Sequence, residues 1–136
     1  MELLADDIGL LPNFLSYWLC AIGLLGGFAR LYLAWTPYHE VALIRDGNLA
    51  AAYSFSGAIL GFATALTFVV ANSAELHEVL FWGVVAALVQ LAGYSLVRFI
   101  IPTLPDGITH NNVAHGVFLG AIGLVLGLIT GASLVP

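Results

Sequence analysis

Four stretches of this chain run for roughly 20 residues or more with charges only near their ends. They extend from about Leu10 to Ala34, Asn48 to Asn72, Glu78 to Ile101 and Asn112 to Val135. A hydrocarbon core of about 30 Å needs about 20 residues of helix to cross it. No stretch alternates apolar and polar residues as a membrane barrel strand does. Lipid offers nothing to an unpaired backbone group, so the spans are expected to be helices. The expected fold class is therefore an all-α membrane protein with four transmembrane helices. Composition agrees: 61% of the 136 residues are hydrophobic and 8% are charged. A soluble chain is about 45–50% apolar and about 25% charged, and a core this short cannot hide the surplus from water.

The formal charge is −5, from eight acids and three arginines, with no lysine. That balance argues against nucleic acid, which needs a basic footprint, and against a polybasic lipid-binding tail. The opening MELLADDIG is acidic where a secretory signal carries positive charge, so the first helix is expected to be retained. The single Cys20 lies in an apolar run and reads as a small buried hydrophobe.

The connections are punctuated by turn residues. Loop one, WTPYHEVALIRDGN, opens at Pro37 and closes at Asp46-Gly47. Its middle, Tyr38 to Ile44, is amphipathic enough for a short interfacial helix. Loop two, NSAELHE, is short and acidic and turns the second and third helices into an antiparallel hairpin. Loop three, PTLPDGITHN, is broken by prolines and an Asp-Gly pair. Arg30, Arg45 and Arg98 all lie on or beside loops one and three. The positive-inside rule then places those loops in the cytoplasm and both termini outside.

The chain reads as a single membrane domain, 1–136, built from two hairpin repeats at about 10–72 and 78–135. A shift of 64 residues sets Ile44 on Ile108, Asn48 on Asn112, Ala50 on Ala114, Leu60 on Leu124 and Trp18 on Trp82. Each half holds an even number of spans, which makes the repeats parallel rather than inverted.

Glycine carries the clearest packing signal. Gly116, Gly120, Gly123, Gly127 and Gly131 advance by three or four and share one face of the fourth helix. Gly57 and Gly61 form a shorter face on the second helix, Gly23 and Gly27 one on the first. Such faces admit a neighbouring backbone, either inside one bundle or from another copy or partner subunit. Asn48 and Asn112 open the second and fourth helices as candidate N-caps; the alternative is a pair of helix N-termini holding an anion. His39, Glu40, Arg45 and Asp46 crowd loop one, with Asp106, His110 and His115 around loop three. An ion-paired interfacial loop accounts for them, and a metal or proton-relay cluster is the sharper alternative. Gln90 is the strongest hydrogen-bonding side chain near mid-span, with Tyr94 a turn further on, and bonds a neighbouring helix or lines a polar path. No catalytic triad, phosphate loop or dinucleotide fingerprint is present, and no cofactor or metal is implied.

The segments HEVALIRDGNLAAAYSFSGAILGF, WGVVAALVQLAGY and GAIGLVLGLITGASL resemble domain-of-unknown-function family 350, the YjfL-like small bacterial inner-membrane proteins. The resemblance covers most of residues 14–135 and is most specific at Glu40, Gly47, Asn48, Ala50, Trp82 and Gln90. It implies a four-helix inner-membrane protein of two hairpins and supplies no activity, substrate or cofactor. The chain departs from the pattern at His110-Asn111-Asn112, where a second acidic-Gly-Asn turn would stand. The expected function is a non-enzymatic membrane component that associates with itself or with a membrane-protein partner through glycine-lined faces. The alternative is an oligomeric ion or proton channel, or a small transporter.

Overall fold

A computed structural model describes residues 1–134 as seven helices. They are α1 (Glu2–Gly9), α2 (Leu11–Trp35), α3 (Glu40–Arg45), α4 (Leu49–Asn72), α5 (Leu76–Ile100), α6 (Leu104–Thr109) and α7 (Val113–Ser133). Four are long and apolar enough to cross a membrane: α1 with α2 as one run, α4, α5 and α7. The first helical run begins at Glu2 rather than near Leu10; the other span ends fall within two residues of where the apolar stretches place them, and Val135, the expected end of the fourth, lies outside the described residues. The protein is an integral membrane protein of all-α class.

Two short helices stand where the sequence reading has none. Loop three contains α6, because Pro105 sits in its first turn, where the missing N–H is no loss and the fixed φ suits a helix. The acidic N-terminal segment is also helical, as α1.

The centre of the bundle is α4 against α7, which run parallel, with α5 packed on both and α2 outside, on α5 and α4. Glycine decides that pairing. A Cβ on Gly57 would overlap the backbone of Gly120, one on Gly127 the backbone of Gly61, and one on Gly116 the backbone of Ala50. Gly120 lies against the carbonyl of Tyr53, Gly61 against that of Gly123, and Gly131 against the ring of Phe68. A Cβ on Gly123 would stand 3.2 Å from Ala58. Lipid supplies no hydrophobic drive between helices, so attraction has to come from close backbone approach, and bare backbone permits it. All seven glycines of the two faces are used inside the chain.

The first helix is different. Gly23, Gly26 and Gly27 meet nothing within 4 Å. Of α2 only Phe28 and Tyr32 are buried, Phe28 stacking on Phe62 of α4 with ring centroids 4.4 Å apart. Toward loop two α2 stands off the bundle, leaving a groove of about 740 Å³ against α4. A second, of about 460 Å³, separates it from α5.

Candidate functional site: a buried carboxyl and two linked turns

Loops one and three meet at one end of the bundle. Asn48 accepts from the N–H of Ala51 at 2.9 Å, capping α4, and its amide donates to the carbonyls of Ile108 at 2.8 Å and Thr109 at 3.3 Å. Asn111 accepts from the N–H of Ala50 at 3.1 Å. Asn112 caps α7 more weakly, accepting from His115 at 3.5 Å. Both asparagines are therefore caps, and Asn48 also clamps the turns together.

The two turns match bond for bond at a spacing of 64. Asp46 N–H donates to Ala42 and His110 N–H to Asp106; Asn48 N–H donates to Leu43 and Asn112 N–H to Gly107. Gly47 has φ 84° and Asn111 φ 60°. Asn tolerates the left-handed region better than most side chains, so the departure at His110-Asn111-Asn112 leaves the turn geometry intact.

Glu40 lies in the first turn of α3, outside the spans, and is 0% exposed. The expectation of an ion-paired loop does not hold for it. The only ion pair among the described residues is His77–Glu75, at the opposite end. His39, Arg45 and Asp46 are exposed, as are Asp106 and His110. Nor do any three His, Cys, Asp or Glu side chains converge as a metal site among the described residues. Glu40 turns inward because Pro37 and the extended Thr36 end α2 and fold the chain back over the bundle. Its electrostatic neighbours are Tyr32, Tyr38 and Tyr94, and Tyr32 and Tyr94 pack edge to face at 5.6 Å. Burial pushes its carboxyl up to about 8, with the nearby Thr36 hydroxyl pulling the other way. Burial likewise drives the Tyr38 phenol far above its ordinary range. Thr36 has no sequence signal as part of this site, and neither Tyr38 nor Tyr94 is marked as a neighbour of Glu40 by spacing.

Gln90 is packed. Its amide crosses to the carbonyl of Gly123 at 3.0 Å and lies over Gly61, whose missing side chain leaves it room. The adjoining void, bounded by Tyr32, Tyr94 and Leu119 among others, is about 10 Å³, at the lower limit for one water. A path wide enough for hydrated ions does not pass Gln90 in this conformation. We expect Gln90→Leu to lower stability by about 0.6–1.7 kcal/mol, the range for interhelical hydrogen bonds in lipid, as read by unfolding in mixed micelles. No change would mean that the bond to Gly123 holds nothing together.

Comparison with known proteins places these features in a family context. The model of the Domain of Unknown Function (DUF350) family matches residues 5–134. The chain is 31% identical over 121 residues to the UPF0719 inner membrane protein YjfL of Escherichia coli (strain K12), covering 89% of this chain and 92% of that one. It is 26% identical over 126 residues to the UPF0719 transmembrane protein YshE of Bacillus subtilis (strain 168), covering 91% and 94%. No solved structure matches the chain.

Proposed function

The chain belongs to the DUF350 family, and from that premise we propose that it is a non-enzymatic component of the bacterial inner membrane that works as an assembly of copies joined along α1 and α2. The family relatives named as inner membrane proteins support the location. Arg30, Arg45 and Arg98 support a cytoplasmic placement of loops one and three, with both termini outside. The matched turns at a spacing of 64 support descent from a duplicated hairpin.

One observation carries the assembly reading: an apolar seam on the outermost helix that extends beyond the bilayer. Leu4, Ile8, Leu11, Leu15, Trp18 and Ile22 advance by alternating steps of four and three, and all are between 47% and 63% exposed. That is the spacing of a coiled-coil seam. The run Glu2–Trp35 has 34 residues, about 50 Å of helix, against a hydrocarbon core of about 30 Å. Its first turns, with Glu2, Asp6 and Asp7, lie beyond the lipid tails, where Leu4 and Ile8 gain from a second copy of the same seam. The glycine faces of α4 and α7 contribute nothing to this contact, being internal.

Cysteine cross-linking in nanodiscs tests the reading. In a Cys20→Ser background, Leu11→Cys on the seam should cross-link into dimers, whereas Ser16→Cys, on another side of the helix, should not. A single-chain mass in nanodiscs, or equal cross-linking at both positions, would overturn it.

A further inference from the structure

At the loop-one end, four buried oxygens have no hydrogen-bond partner among the described residues: both carboxyl oxygens of Glu40 and the hydroxyls of Tyr38 and Tyr94. Glu40 is 0% exposed, Tyr94 3% and Tyr38 8%. Native proteins pair nearly all their buried polar groups, so four orphans in one place call for something that joins them. The groups around Glu40 restrict what that is. From α2 it faces Tyr32, from its own loop Tyr38 and Thr36, and from α5 Tyr94, with Arg98 beyond at the surface. The helix α4 carries no charged residue, and Asp106 of α6 and Arg45 and Asp46 at the end of α3 are exposed. Among the described residues every polar neighbour named above is a hydroxyl, and no cation stands within ion-pair distance.

A carboxylate here could only accept hydrogen bonds, and its charge would lie unpaired in a low dielectric. The phenols could donate to either form, but only the neutral carboxyl removes the unpaired charge, and it still both donates and accepts, as does each phenol. The hydroxyls of Tyr38 and Tyr94 already approach each other, short of a bond of good geometry.

We propose that Glu40, Tyr38 and Tyr94 form a proton-binding site at the loop-one end of the bundle, one proton being held on the carboxyl and shared with the two phenols. Binding takes the proton from solvent and release returns it there, leaving the carboxylate; the phenols stay protonated throughout. Glu40 belongs to the six-residue α3, and its neighbour His39 is exposed; a short terminal element of this kind opens locally at low cost, which gives the proton its route to solvent. The proposal is independent of the assembly reading and concerns the opposite end of α2.

Infrared difference spectroscopy of the full chain in nanodiscs, titrated from about pH 5 to about pH 10, tests it. The wild type should show the carbonyl stretch of a protonated carboxyl, lost with a midpoint near 8, and Glu40→Gln should lack it. Tyr94→Phe, which keeps the ring and its packing, should move both the band and the midpoint, and carries the test alone should Glu40→Gln fail to fold. Absence of a protonated carboxyl at neutral pH overturns the site, as does a band that survives in Glu40→Gln or is indifferent to Tyr94→Phe. The titration is repeated with sodium, potassium or a bulky organic cation as the only cation. An unchanged midpoint supports a proton site; a midpoint that falls with an alkali ion makes it a metal-cation site and overturns the proposal.

Discussion

Gly127→Ala should cost about 3 kcal/mol of stability or more, the upper end of what overpacking does to a well-filled core. The new methyl would enter the space held by the carbonyl and Cα of Gly61. Backbone cannot rotate away as a side chain does, so α7 has to retreat from α4 as a body. That retreat loosens Gly57 against Gly120 and Gly116 against Ala50, and it stretches the bond from Gln90 to Gly123. Gly27→Ala is the control. It meets nothing within 4 Å, and alanine is the better helix former by about 1 kcal/mol, so within one chain it should be neutral or mildly stabilising. Both are read by the denaturant dependence of helicity in mixed micelles. Equal stability of Gly127→Ala and the wild type would mean that α4 and α7 do not meet backbone to backbone.

The second large effect is a stability that declines with rising pH. The folded protein holds the Glu40 carboxyl at about 8, against 4.5 for the free group. Between those values the folded state keeps a proton that the unfolded state has released. Unfolding therefore becomes easier by about 1.4 kcal/mol for each pH unit across that window. The contribution is complete below about 4.5, lost through about 8, and flat above. Glu40→Gln keeps the shape and the neutral form, so it should abolish the slope and be the more stable protein above pH about 8. Stability that rises with pH through this window, or an equal slope in Glu40→Gln, would show that Glu40 is ionised in the folded protein.

Which positions were legible in advance follows the kind of signal each carries. The spans were readable because lipid imposes a length and a polarity on every crossing helix, one residue after another. The caps at Asn48 and Asn112 were readable because a cap acts on its own first turn. Helix α6 went unread because loop three looks broken by proline, although Pro105 is in a position where proline starts a helix. Asn111 departs from the acidic-Gly-Asn pattern in sequence, yet its backbone supplies the left-handed turn that Gly47 supplies in loop one. Glu40 was placed among surface charges because its chain neighbours His39, Arg45 and Asp46 are surface charges. Beyond Thr36 and Tyr38 of its own loop, its neighbours are Tyr32 of α2 and Tyr94 of α5, and the latter stands at a distance along the chain that no local pattern reports.

The solvent, the number of crossings, most of their ends, the glycine faces and the capping residues are all legible in the residues alone, since they follow from composition and from contacts within a turn or two of helix. Which glycine faces are consumed depends on how the helices pack. Those of α4 and α7 close on each other, and those of α2 stay open. The tertiary structure also decides that Gln90 is packed rather than wet, and that Glu40 is buried without a counter-charge. Periodicity says that a face exists; which partner fills it is set by how four helices of unequal smoothness sort themselves in lipid, where the closest backbone approach prevails.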